Sequence, residues 1–263
     1  MSGTTNPPTH PSLRTSLAGL NRARRTEPPA RSLLSTSWML RPLAAALLDL
    51  LYPPRCAACG EAGEPFCAAC AEALLPTGQG CPRCGRPGRA ATCGPCLLHP
   101  PAFDGVRAGG LFGGPLADAV HALKYGDRPA LARPLGRWLA ARAPLPPGAL
   151  VVAVPLGRRR RLARGYDQAG RLADHLARAS GAVRLNGALR RVRETPPQVG
   201  RSRAARAANV AGAFTADPAR VAGRDLVLVD DVVTTGATAD AAASALLAAG
   251  ARRVTVVALA RAE

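Results

Sequence analysis

The chain has 263 residues, 48% of them hydrophobic and only 3% aromatic, enough for one ordinary α/β core with a smaller folded appendage but hardly for a third unit. Its formal charge of +18, from 35 basic and 17 acidic residues, is almost wholly arginine, whose planar fork suits bidentate phosphate contacts. Polyanionic partners are therefore expected, and membrane insertion is not: the apolar run Leu43 to Leu51 is too short to span a bilayer and contains Asp49.

Residues 1–38 are rich in Pro, Ser, Thr and Arg, show no sustained hydrophobic period, and are expected to form a disordered tail. They also lack an apolar stretch of secretory length, which points to a cytoplasmic protein. Met39 is an alternative start, because patterning begins immediately after it. Leu40, Leu43, Leu47, Leu50 and Leu51 fall at helical spacing, with Pro42 in the first turn and Pro53-Pro54 at the end. This predicts a short amphipathic helix docked on the protein.

All eight cysteines lie between residues 56 and 96, in four CxxC pairs: Cys56/Cys59, Cys67/Cys70, Cys81/Cys84 and Cys93/Cys96. Two thiolates three residues apart bind one metal only around a tight turn, and a following glycine lets backbone amides point at the sulfurs; Gly60 and Gly85 stand there in two pairs. Two structural zinc ions with four thiolates each use every cysteine and supply folding energy that a loop-rich stretch otherwise lacks. A disulfide scaffold is disfavoured in a reducing compartment. Sequential pairing needs only short ribbons, and interleaved pairing stays open on spacing alone. His99 is surplus to the ligand count.

From about Phe103 the pattern alternates between helix and strand, the signature of an α/β unit with a largely parallel sheet. Helices are predicted over Leu116 to Lys124 and Leu131 to Ala141, and a buried strand over Leu150 to Val154. An arginine-dense loop follows, then a helix marked by Ala169, Leu172, Ala173 and Leu176. A strand over Asp225 to Val229, a helix from about Gly236 to Ala249 and a strand over Arg253 to Ala260 close the pattern.

In Leu226 to Thr238, four apolar residues run into two aspartates and then a Thr/Gly turn that opens a helix. Backbone amides and the hydroxyls of Thr234, Thr235 and Thr238 at a helix N-terminus are donors for a phosphate monoester, and Gly236 permits close approach of the main chain. Asp230 and Asp231, at the carboxyl end of a strand where α/β folds bind ligands, are suited to ribose hydroxyls or Mg2+. Two adjacent acids ending a buried strand are costly unless something binds them.

This segment resembles the thirteen-residue PRPP-binding motif of type I phosphoribosyltransferases, and with the four upstream CxxC pairs residues 40–260 resemble ComF proteins. The resemblance implies a helix and double zinc ribbon over 39–101 and a phosphoribosyltransferase-like α/β domain over 102–263. It also implies PRPP held by Asp230, Asp231, Thr234, Thr235, Gly236, Ala237 and Thr238, with Lys124, the single lysine, as a further site residue. Arg158 to Arg161 and the box Arg164-Gly165-Tyr166-Asp167-Gln168 look like the family's pyrophosphate region, which makes Arg158 and Arg164 candidates. Asp167 departs from the pattern, and an acid there is better suited to orienting a neighbouring arginine than to meeting phosphate. Gln198, Arg206 and Asn209 look like parts of the family's flexible loop.

Tyr125 and Tyr166 are either stacking platforms or core and rim residues. Two functions stay open. One is a PRPP-binding protein of DNA uptake and natural transformation, with single-stranded DNA and competence or recombination proteins as partners. The other is an active phosphoribosyltransferase with no role in DNA handling; no segment specifies the acceptor, a catalytic residue or an oligomeric state.

Overall fold

The computed structural model describes residues 52–195 and 209–262, all within one compact unit, Leu48–Glu263. The tail, the helix expected from Leu40 to Leu51, Gln198 and Arg206 lie outside the described residues. Two short helices, α1 (Ala68–Glu72) and α2 (Gly94–Leu98), belong to the cysteine block. The α/β part runs β1 (Gly105–Leu111), α3 (Gly114–Tyr125), a 3-10 turn (Pro129–Leu131), α4 (Ala132–Arg142), β2 (Leu150–Ala153), α5 (Arg158–Arg164), α6 (Gln168–Ser180) and β3 (Val183–Arg184). It continues with β4 (Leu189–Arg191), β5 (Phe214–Ala216), α7 (Pro218–Val221), β6 (Asp225–Val233), α8 (Ala237–Ala248) and β7 (Arg253–Arg261).

Five strands form a parallel sheet in the order β1-β7-β6-β2-β3, and β4 and β5 form a separate antiparallel pair. Successive strand residues point to opposite faces, so the buried strands feed two apolar layers. Val151, Val229, Val257 and Leu259 pack with Leu123, Leu135, Leu139 and Leu172 on one face. Val152, Leu228, Val254 and Val256 pack with Val221, Ala242 and Leu246 on the other.

Three departures from the sequence expectation have physical causes. Strand β1 escaped the pattern because Gly109 and Gly110 lower strand propensity; packing requires them, since a Cβ at Gly109 would stand 2.2 Å from the Trp138 ring and one at Gly110 2.7 Å from the Leu75 carbonyl. The segment expected as an arginine-rich loop is the helix α5, which Gly157 precedes in extended conformation and Gly165 ends at φ 72°. Arginine and leucine are good helix formers, and reading the run as charge concealed that. Strand β6 extends to Val233 rather than Val229, because it keeps pairing with β7 through Val233↔Arg261 after β2 has ended at Ala153↔Val229.

Candidate functional site

The eight cysteines fall into two groups in sequential order, Cys56/Cys59/Cys67/Cys70 and Cys81/Cys84/Cys93/Cys96, with the sulfurs of each group within 4.8 Å of one another. A zinc ion with four Zn–S bonds of about 2.3 Å needs sulfur–sulfur edges of about 3.8 Å. Cys59 and Cys67 lie 3.7 Å apart at sulfur, and Cys84 and Cys93 3.6 Å. The donor sets thus fit two closed, structural zinc sites.

The two ribbons repeat each other. The amide of Gly60 donates to the Cys56 carbonyl at 3.1 Å and that of Gly85 to the Cys81 carbonyl at 2.8 Å, closing each turn at a glycine of positive φ. Cys67 and Cys93 occupy the N-cap positions of α1 and α2, and their amides donate to the sulfurs of Cys56 and Cys81 at 3.5 and 3.4 Å. Burial opposes charge on Cys56 and Cys81, but such backbone donors outweigh it and bring each thiol down to about 6, as a metal ligand requires.

Because β6 outruns β2, Asp230 and Asp231 emerge where the sheet has lost a neighbour, at the carboxyl ends of the strands. Asp230 Oδ1 accepts from the Asp231 amide at 2.8 Å, and Asp231 Oδ1 lies 2.9 Å from Nζ of Lys124, near the end of α3. Burial, reinforced by the charge of Asp231 and opposed by Lys124, pushes the Asp230 carboxyl up to about 7. Burial works against the Lys124 ammonium, but Asp231 and then Asp230 hold it above the usual lysine range.

These groups line a cleft of about 970 Å3 together with Thr234, Thr238, Arg160, Arg164, Arg191 and Tyr125. Thr235, Gly236 and Ala237 line a recess against Asp230 at the start of α8. Gly236 takes φ 84° as the residue before α8 and has no side chain to cap that helix. The Thr235 hydroxyl accepts from the first amide, of Ala237, at 3.3 Å, and the next two, of Thr238 and Ala239, precede the first intrahelical bond and are available to an anion. Arg158, in contrast, lines a neighbouring cleft of about 640 Å3 that shares Gly165, Tyr166 and Arg191 with the first. Asn209 accepts from Arg193 at 3.1 Å through its carbonyl and lines neither cleft.

Asp167 accepts from the Gly170 amide at 3.1 Å, capping α6, and stands 3.4 Å from Arg161. It orients an arginine. The buried Tyr166 donates its hydroxyl to the Leu123 carbonyl at 2.5 Å, whereas Tyr125 is 73% exposed under the Arg164 guanidinium, 4.8 Å from the ring centroid. The first is core, and the second stands exposed at the cleft rim, where its ring is accessible to a stacking partner. Arg160 lies in the marked run Arg158 to Arg161 without having been singled out, and Arg191 had no mark in the sequence beyond the general excess of arginine. Burial and then the neighbouring Arg160 hold the Arg191 guanidinium below its ordinary range, against the opposing pull of Glu194 and Asp230.

The fold and this cleft define a phosphoribosyl transferase-type protein. The chain matches the family described as phosphoribosyl transferase domain over residues 162–263 and the one described as double zinc ribbon domain over 47–97. It is 37% identical over 192 residues to DNA utilization protein YhgH of Salmonella typhi, spanning 69% of this chain and 83% of that one. It is 32% identical over 197 residues to competence protein F of Haemophilus influenzae, spanning 69% and 85%. The solved glutamine phosphoribosylpyrophosphate (PRPP) amidotransferase from B. subtilis is similar at 25% identity and a TM-score of 0.38, over 52% of this chain and 30% of that one. The chain belongs to the ComF family, in which a double zinc ribbon precedes a phosphoribosyltransferase domain. Among the described residues, no helix is long and apolar enough to cross a membrane.

Proposed function

We propose that the chain binds PRPP in the 970 Å3 cleft and that it serves in handling DNA, a use that the name DNA utilization protein states for its relative YhgH. The observation that carries the reading is the convergence on one cleft of paired carboxylates, a glycine-led helix start with threonine hydroxyls, and Lys124 with three arginines. In this assignment the amides at the start of α8 and the hydroxyls of Thr234, Thr235 and Thr238 donate to the 5′-phosphate. Asp230 and Asp231 accept from the ribose hydroxyls or hold Mg2+, which when bound neutralises charge on the pyrophosphate. Arg160, Arg164 and Arg191 face the remaining anionic groups.

DNA contact is supported by the second cleft. Its walls carry Arg158, Arg161, Arg171, Arg184, Arg190 and Arg191 against only two carboxylates, Asp167 and Asp174, both already engaged with arginine. The working arrangement is a ribbon region through residue 101 followed by the PRPP-binding region from 102, in the cytoplasm, with competence or recombination proteins as partners.

Calorimetric titration with PRPP and Mg2+, followed by a pyrophosphate-release assay across nucleobases and ammonia, tests the reading. Binding without release assigns a scaffold. Release with one acceptor assigns a transferase, and absence of binding removes PRPP from the site.

A further inference from the structure

Although the two zinc ribbons are alike internally, they are attached differently. A Cβ at Gly60, in the first knuckle, would meet nothing within 4 Å, whereas one at Gly85, in the second, would stand 3.2 Å from the Val106 carbonyl. A Cβ at Gly105 would likewise stand 2.9 Å from the Pro82 carbonyl, so the second knuckle lies directly on the start of β1. The first ribbon instead sets Cys56, Phe66, Cys70 and Leu74 into the apolar layer that contains Leu116 and Leu123.

Arg261, the last residue of β7, is 2% exposed and has no carboxylate partner among the described residues. Burying a guanidinium is costly unless its donors are matched. Here backbone carbonyls engage two of its three nitrogens: Nε donates to Cys84 at 2.9 Å, and one terminal nitrogen to Val233 at 3.0 Å, to Thr234 at 2.5 Å and to Ala262. One rigid planar group thus grips the carbonyl of a zinc-site cysteine on one side and the first residues of the phosphate turn on the other.

The segment leaving the second ribbon makes two further ties. The Ala102 amide donates to Asp240 Oδ1, in the first turn of α8, at 2.7 Å. The Phe103 ring, 1% exposed, lies 3.6 Å from the Cβ position of Gly236. Both of these ties and the Arg261 grip depend on where residues 82–104 are held. For a segment of loops and one helical turn, metal binding does the holding.

We propose that the second zinc ribbon sets the conformation of the phosphate turn, with Arg261 as the positioning residue that links them. Among the described residues, the first ribbon makes no such hydrogen bond to the turn. The inference rests on the phosphate assignment for that turn only where affinity is read. An independent readout is amide hydrogen exchange of residues 235–239 in protein without ligand, with residues 256–259 of β7 as an internal measure of the intact sheet.

Cys93→Ser and Cys67→Ser disable equivalent positions in the second and first ribbons. Cys93→Ser is expected to speed exchange in the turn and to weaken ribose 5-phosphate binding by about tenfold, within the usual range of intersite coupling, while Cys67→Ser leaves both within about twofold. Arg261→Lys, which retains the charge but not the fork, should reproduce the turn effect with two zinc ions still bound, and it decides the matter if Cys93→Ser opens the whole sheet. Equal effects from both cysteine variants, or an unchanged turn in a zinc-replete Arg261→Lys protein, overturn the coupling. If the native protein ignores ribose 5-phosphate, the phosphate assignment fails, and the exchange contrast still decides the coupling.

Discussion

Lys124 Nζ and Asp231 Oδ1 stand 2.9 Å apart, with both side chains largely withdrawn from solvent, at the meeting of α3 and the end of β6. The pair compensates one of two adjacent carboxylates and leaves the other, Asp230, to a ligand. Asp230→Asn should therefore weaken PRPP binding without loss of fold. A charge-assisted hydrogen bond is worth about 1.5–3 kcal/mol, roughly one to two decades in affinity. Titrating native and variant protein with PRPP and Mg2+ checks this, and an unchanged ligand-induced melting shift in the Asp230→Asn, Asp231→Asn double variant removes the aspartates from the site.

How much of this was legible depended on whether an element announced itself locally. The run LVLVDD into a Thr/Gly turn announced a strand, two acids and a turn that opens a helix, although the strand runs on past the acids to Val233. The zinc sites were equally plain, because spacing fixes geometry over three residues. What stayed hidden was long-range. Nothing near Lys124 in sequence says that it meets Asp231, and Arg261 reads as the polar end of an apolar strand although it is buried and bonded to Cys84, 177 positions away. The arginine run misled because composition suggested a solvated loop, while glycines at both ends delimit a helix that divides its arginines between two clefts.

The raised pKa of Asp230 gives two opposite pH slopes. Burial and Asp231 push the carboxyl to about 7, so between its ordinary value and about 7 the folded protein holds a proton that the unfolded chain has released. Stability of the unliganded protein from this group is therefore present at low pH and lost as pH rises through that window. Ligand affinity runs the other way, because the carboxylate is the form that accepts from ribose or holds Mg2+. Asp230→Asn should abolish the difference in both slopes. Melting temperature and PRPP affinity between pH 5 and 8 decide it, and coincident profiles for native and variant protein exclude this carboxyl as the source.

Metal analysis should find two zinc ions per chain, as two four-thiolate groups require. Prolonged chelation should unfold the ribbon region, because binding free energy is folding free energy in such modules. With Phe66 and Leu74 of the first ribbon in the main apolar layer, the loss should also lower the melting temperature of the α/β part. Zinc near zero in a fully folded protein refutes the assignment.

Single-stranded DNA binding should fall steeply with salt, because each phosphate contact releases a counterion and the slope of log affinity against log salt counts the contacts, at about 0.7 per phosphate. Arg158, Arg159, Arg160 and Arg161 lie on α5, so exchange for glutamine preserves helix propensity where serine or glycine would add a folding effect. If two of these arginines meet phosphates, the slope should fall by about 1.4, with a smaller loss of affinity at high salt. Tyr125 gives an independent check. It is exposed, stacked beneath Arg164, and outside the apolar layers, so Tyr125→Ala should leave the melting temperature unchanged. Stacking of a base on an aromatic ring contributes about 1–3 kcal/mol, so the variant should lose about one to two decades in affinity with the salt slope intact. Electrophoretic or anisotropy titrations across a salt series separate the two effects. An unshifted oligonucleotide at low salt would assign the basic clefts to phosphorylated small molecules alone.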